Sequence, residues 1–153
     1  MTGGGSSLPD VQALLRVLAS GRDVAELGTA FGEGAAAMAE TARSVVTVEQ
    51  DADRVAVARE RLAPLENVRV LHGDWRELID GRFGLVFADA GAYDWERVVD
   101  LLEPGGIVVK DDLTPGRPID GDPVREFLLR DPRLVAVELL TTPTAAAIVG
   151  VKR

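Results

Sequence analysis

Apolar positions along the chain alternate between helical spacing and short strand-like runs. Leu8, Val11, Leu14, Leu15 and Leu18 recur at helical spacing, with Pro9 suited to a first turn and Gly21 to a stop, so the chain is expected to open with a helix. Val24 to Leu27 then reads as a short strand, followed by a glycine-rich turn. Gly32 to Ala42 is rich in alanine and carries Met38, a composition that favours helix. Ser44 to Glu49 reads as a second strand. Asp51 is placed to cap a helix running to about Ala63, with Val55, Ala58 and Leu62 on one face and Pro64 beyond it.

Val68 to Leu71 reads as the third strand and Trp75 to Leu78 as a short helical turn. Leu85 to Ala88 is a continuous apolar run of the kind a strand buried on both faces requires. Trp95, Val98, Val99 and Leu102 return to helical spacing before Pro104, Gly105 and Gly106 break the chain. Ile107 to Val109 resumes an apolar strand that ends at Lys110. Asp122 and Pro123 form a cap and a first helical position, predicting a helix to about Arg130. Leu134 to Leu140 and Ala145 to Val151 are strand-like runs joined through Thr141 to Thr144, a closing hairpin. Strands alternating with helices as far as Lys110 predict an α/β fold: a doubly wound, mostly parallel sheet of about seven strands, covered by helices on both faces and ending in an antiparallel pair.

At 153 residues, 46% of them hydrophobic and 27% charged, the chain has the size and balance of one globular domain spanning 1–153, with Met1 to Ser7 as a flexible lead-in. The net charge of -8 repels phosphate backbones and anionic bilayers, which argues against nucleic acid and membrane as partners. The absence of cysteine removes disulfides, thiolate metal sites and cysteine nucleophiles together, and fits a reducing, cytoplasmic compartment.

Ligands of open α/β sheets bind beyond the carboxyl ends of the strands, where the winding reverses. Those ends are acidic here: Glu26 within the first strand, Glu49 ending the second, Asp74 past the third, Asp89 past the fourth, and Asp111 and Asp112 past the fifth. The first turn, Glu26-Leu27-Gly28-Thr29-Ala30-Phe31-Gly32-Glu33-Gly34, spaces its glycines as G-x-x-x-G-x-G. The dinucleotide fingerprint needs G-x-G-x-x-G, so a nicotinamide cofactor is the weaker alternative. Glu49 stands 21 residues after Gly28, the offset at which a carboxylate can accept hydrogen bonds from both hydroxyls of a ribose.

The run Val24 to Gly34 resembles motif I of the class I methyltransferases that use S-adenosylmethionine, in particular the catechol and caffeoyl-CoA O-methyltransferase group. Val46-Thr47-Val48-Glu49 is similar to that group's ribose-binding strand end, His72-Gly73-Asp74-Trp75 to its adenine-contacting segment, and Leu102-Glu103-Pro104-Gly105-Gly106 to its turn before strand five. The resemblance covers roughly Leu8 to Arg153 and implies a Rossmann-like fold. It also implies that Glu26, Gly28, Thr29, Ala30, Phe31, Gly32 and Gly34 face the methionine part of the cofactor. By the same resemblance Glu49 would face the ribose and Asp74 the adenine amino group, with Trp75 packed beside the adenine and Gln50 and Asp89 in the cofactor-binding set.

In the metal-dependent members an Asp after strand four and an Asp-Asn pair after strand five hold a divalent cation. The matching positions here are Asp89, Asp111 and Asp112, an oxygen-rich set suited to Mg. Asp112 stands where the family has Asn, and the segment from Asp89 to Tyr93 lacks the family's catalytic lysine, which leaves Asp89 and Lys110 as candidate catalytic groups. His72 reads as structural, and Tyr93 and Trp95 as walls of an acceptor pocket. The expected reaction is methyl transfer to a small-molecule acceptor at oxygen, with metal assistance. A metal-independent transferase and a non-catalytic cofactor-binding module are the alternatives. Little chain remains to cover the acceptor, so closure falls to the N-terminal helix, the loop from Thr114 to Asp122, or a second subunit of a homodimer.

Overall fold

A computed structural model describes residues 7–89 and 93–153. The expected lead-in from Met1 to Ser6 and the segment 90–92 after the fourth strand lie outside the described residues. Ser7, assigned to the lead-in from sequence, is buried, and its carbonyl accepts from Gln12 Nε2 at 2.8 Å.

The elements run α1 (Pro9–Ala19), β1 (Asp23–Leu27), α2 (Glu33–Ala39), β2 (Ser44–Glu49), α3 (Ala52–Leu62), β3 (Val68–His72), α4 (Trp75–Leu78), β4 (Phe83–Ala88), α5 (Trp95–Asp100), β5 (Leu102–Leu113), α6 (Pro123–Arg130), β6 (Leu134–Thr142) and β7 (Ala145–Lys152). The seven strands form one sheet in the order β3-β2-β1-β4-β5-β7-β6, with β7 antiparallel to both of its neighbours and every other pairing parallel. This is the doubly wound sheet with a closing hairpin that the alternating pattern predicts. The winding reverses at β1, which lies between β2 and β4, so the crevice of such a sheet opens above the carboxyl ends of these strands.

Two apolar layers sandwich the sheet. Val11, Leu15 and Ala19 of α1, Met38 of α2 and Leu62 of α3 pack with Val24, Leu85, Phe87 and Val109. On the opposite face Trp95, Val98 and Val99 of α5 and Leu128 of α6 pack with Ala25, Val86, Val108 and Ile148. Helix starts are fixed locally: Asp51 accepts from the N–H groups of Asp53 and Arg54, and Asp122 from those of Val124 and Arg125, satisfying donors that a helix leaves unpaired.

The strand after α5 departs from expectation. Pro104, Gly105 and Gly106 read as a break, yet β5 runs through them from Leu102. The register against β4 shifts there, Phe83 pairing with Leu102 and Leu85 with Ile107. A Cβ on Gly106 would lie 2.8 Å from the carbonyl oxygens of both Glu103 and Phe83, so only glycine lets the bulge close. The strand also continues past Lys110 to Leu113, which places Asp111 and Asp112 within β5 instead of in the following loop.

Arg125 of α6 joins three elements while being only 1% exposed. Its guanidinium donates to both carboxylate oxygens of Glu138 on β6 (2.8 and 2.7 Å), to Asp122 at the start of α6 (2.6 Å), and to the Thr114 carbonyl at the end of β5 (2.7 Å). Buried charge of this kind is tolerated because the planar fork is matched bidentately by Glu138 and two further N–H groups meet Asp122 and the Thr114 carbonyl. Among the described residues no helix is long and apolar enough to cross a membrane.

Candidate functional site

The turn after β1 is built from alternating left-handed residues: Gly28 (φ 104°), Ala30 (φ 48°) and Gly32 (φ 88°). Glycine adopts this region freely; alanine does so at a cost and needs surroundings that hold it there. The hold comes from Glu49, whose Oε2 accepts from the Ala30 N–H at 2.9 Å while Oε1 accepts from Gln50 and Asp51 at 2.9 and 3.0 Å. The carboxylate that ends β2 thus faces the glycine turn and is bonded to it. Phe31 lies under the Arg54 guanidinium at 5.7 Å.

Beneath the turn runs a buried polar chain. Thr47 Oγ1 donates to Glu26 Oε1 at 2.6 Å and lies 2.6 Å from Thr29 Oγ1. Glu26 is 1% exposed. Burial pushes its carboxyl well above the usual carboxylate range, the charges of Asp89, Asp111 and Glu49 push the same way, and the Thr47 bond offsets this only in part. Thr29 and Gly34, both expected to face a ligand, also support this chain: the Thr29 hydroxyl bonds Thr47, and Gly34 leaves room for Glu26. A Cβ at Gly34 would come within 2.4 Å of Glu26 Oε2, 3.3 Å of Ser7 Oγ and 3.4 Å of Phe87. Gly34→Ala is accordingly expected to lower stability by about 1–3 kcal/mol through overpacking, read as a shifted urea midpoint. Adding Glu26→Asp, which shortens the obstructing side chain, should recover part of the loss; a neutral single substitution would contradict this packing.

At the neighbouring strand ends Asp74 caps α4 and is bound bidentately by Arg76, and Trp75 is half-buried with its ring 6.0 Å from that of Tyr93. Tyr93 donates its hydroxyl proton to the Leu27 carbonyl at 2.9 Å and its ring lies 5.0 Å from that of Trp95, tilted by 42°, so both aromatic rings stand beside the end of β1. His72 contacts the Gln50 carbonyl at 3.1 Å, in keeping with a structural role.

The Asp89 and Asp111 carboxyl groups lie close enough for each to act on the other's proton affinity. Asp111 is 5% exposed, and its Oδ1 is buried without a partner. Burial, then the Asp89 charge, raises the Asp111 pKa to about 7; Asp89 is also raised, by burial first, against the pull of Lys110. The Lys110 ammonium donates to the Asp111 carbonyl at 3.0 Å. Asp112 is left-handed (φ 59°) and exposed, at a point where the pairing of β5 with β7 shifts between Lys110 and Leu113. Its charge acts on both Asp89 and Asp111, but its exposed carboxylate stands outside the buried pair. Among the described residues no three acidic or histidine groups are arranged to hold an ion. The three-carboxylate metal site implied by resemblance is therefore not formed by this donor set, and no chemical step is assigned to a cation.

The raised groups set a pH dependence. Glu26 and Asp111 bind protons on folding, so the stability they contribute is present at acid pH and declines from about pH 4 through about pH 7. Asp23, lowered to about 2 by Arg43, and the lowered Asp51, Asp74, Asp122 and Asp131 act oppositely, losing stability below about pH 4. Urea midpoints are expected to peak near pH 4–5 and fall toward pH 8, with Asp111→Asn flattening the fall. A midpoint that rises from pH 5 to pH 8 would overturn these assignments.

A groove of about 810 Å³ at the amino ends of β2 and β3, lined by Arg43, Asn67, Arg69 and Phe83 among others, contains none of these groups. The candidate site is the carboxyl-end crevice. Thr47 joins the site through Glu26 and Thr29, and its one signal in the sequence is a polar side chain inside an apolar strand two positions before Glu49.

No family model matches the chain. It is similar to a protein-L-isoaspartate O-methyltransferase of Rhodopseudomonas palustris (strain BisB5), 31% identical over 145 residues that make up 89% of this chain and 64% of the relative. The chain thus spans just under two thirds of that relative's length. Among solved structures it is similar to the O-methyltransferase TomG from Streptomyces achromogenes in complex with S-adenosylmethionine, with a TM-score of 0.77, 20% identity, and coverage of 99% of this chain and 83% of that one. An O-methyltransferase from Bacillus cereus in complex with S-adenosylhomocysteine matches with a TM-score of 0.79, 19% identity, and coverage of 97% and 83%. The fold is the Rossmann-like fold of the class I S-adenosylmethionine-dependent methyltransferases.

Proposed function

We propose that this chain, which has the class I methyltransferase fold, binds S-adenosylmethionine in the crevice above β1, β2 and β4 and transfers its methyl group to an oxygen of a small-molecule acceptor. The observation that carries the reading is the Glu49 carboxylate fixed against the glycine turn at Ala30. A carboxylate in that place suits a ribose diol, and the turn beside it suits the amino-acid end of the same ligand. Asp74 and Trp75, at the next strand end, are assigned to the adenine, and Tyr93 and Trp95 to the acceptor wall.

Methyl transfer from a sulfonium is a single in-line displacement. The bond from carbon to sulfur breaks as the bond from carbon to oxygen forms, S-adenosylhomocysteine leaves, and the acceptor proton passes to a base. The protein's contribution is chiefly alignment, which needs no nucleophilic side chain. Asp89, beside the end of β1, is the group we assign to the proton, with Lys110 next to it. In this reading the transfer proceeds without a metal.

The test is calorimetric titration with S-adenosylmethionine and S-adenosylhomocysteine, with and without Mg, followed by product detection over an acceptor panel. The panel should include phenols, catechols, small carboxylates and, because of the relative's name, an isoaspartyl peptide. Micromolar binding and a methylated product at unchanged rate in EDTA are expected. Absence of cofactor binding would refute the reading. Binding without any product would leave a non-catalytic module, and a requirement for Mg would reinstate the cation.

A further inference from the structure

The two edges of the sheet are guarded very differently. β3, at one end, has five residues, carries the exposed Arg69 as its second, and has the Arg59 side chain reaching to its Val70 carbonyl. β6, at the other end, has nine residues, Leu134 to Thr142, and contains no lysine, arginine or proline. Its one charged residue, Glu138, has both oxygens occupied by the buried Arg125. The pairing of β6 with β7 is regular from Leu134 to Leu140; the shift between Leu140 and Thr142 is confined to the hairpin end, so no bulge bends the edge away. Val135 and Val137 are each 56% exposed on one face, and Val151, opposite Val135 on β7, extends the same apolar strip. Long, flat, apolar edges with unpaired backbone groups are rare unless another strand covers them.

We propose that β6 is the interface of a homodimer, in which two copies of this chain pair their edge strands antiparallel about a two-fold axis at Val137. The choice of a second copy rests on charge and register. Two chains of net charge -8 repel each other, and β6 is a strip where neither presents a free charge. Centring on Val137 sets that residue against itself, Val135 against the partner's Leu139, and Ala136 against the partner's Glu138, so the two glutamates do not face each other. The same strip serves both partners, as a two-fold contact requires. Nine residues at about 3.3 Å each give an edge roughly 30 Å long, and pairing it joins the two sheets into one continuous sheet. This inference does not depend on the proposed methyl transfer.

The test is sedimentation equilibrium of the full chain from 1 to 200 μM, repeated for Val137→Lys and for Val57→Lys, a control at an exposed valine on α3. The expected result is twice the chain mass for the unmodified protein. Val137→Lys, which places two ammonium groups at the axis, should raise the dimer dissociation constant at least tenfold, and Val57→Lys should leave it unchanged. Far-ultraviolet circular dichroism should be the same for all three. A monomer across the whole range would overturn the proposal, as would a dimer indifferent to Val137→Lys or one dissociated equally by Val57→Lys. Hydrogen exchange gives a second readout: amides of Leu134 to Leu140 should gain protection as concentration rises, and unchanged exchange in a dimeric sample would place the contact elsewhere.

Discussion

Arg125→Met is expected to lower folding stability by about 3 kcal/mol, toward the lower end of what breaking a buried ion pair costs. The loss strands two carboxylates, Asp122 and Glu138, which are 21% and 23% exposed and so retain some water. It also frees the Thr114 carbonyl. For a chain of this length the melting temperature should fall by roughly 6–12 °C. Because the cost lies mainly in the carboxylates left without a partner, Arg125→Met combined with Glu138→Leu should be less destabilised than Arg125→Met alone. Thermal melts of the three proteins decide this. A single substitution costing under about 1 kcal/mol would mean that the guanidinium is dispensable to the junction of α6, β6 and the end of β5.

The second large effect falls on ligand affinity. Under the proposed function, Glu49→Ala should weaken S-adenosylmethionine binding by tenfold or more, since charge-assisted hydrogen bonds to a carboxylate are worth about 1.5–3 kcal/mol. The substitution removes the ribose acceptor and also releases the Ala30 N–H, so the turn loses its tie to β2. Glu49→Gln keeps a carbonyl oxygen able to accept from Ala30 and should fall between the two. Calorimetry on the three proteins gives the ranking, and equal affinities would refute the assignment of Glu49 to the ribose.

Most elements were legible because their signals are local. Asp51 and Asp122 mark helix starts that the structure reproduces, and Ser44–Glu49, Trp75–Leu78 and Pro123–Arg130 coincide with the segments read from pattern. β5 was cut short because proline and glycine punctuate turns and bulges alike; what separates the two is whether a neighbouring strand accepts the register shift, and Phe83 and Leu85 do. The acidic strand ends were visible, but not which of them meet. Asp111 and Asp112 look equivalent as letters, whereas the strand turns one inward to Asp89 and leaves the other exposed. Thr47 and Arg125 could not be assigned from spacing, since their partners lie 21 residues away at Glu26 and 13 residues away at Glu138.

The left-handed alanine has a consequence for kinetics. A glycine at position 30 would let the peptide wander among several shapes, each with a share of the population; alanine, pinned by its amide, discards nearly all of them before anything arrives. A ligand meeting such a bend finds little reordering left to do. The rate of its capture should therefore follow how often the two collide, with scant delay from a loop searching for its final form.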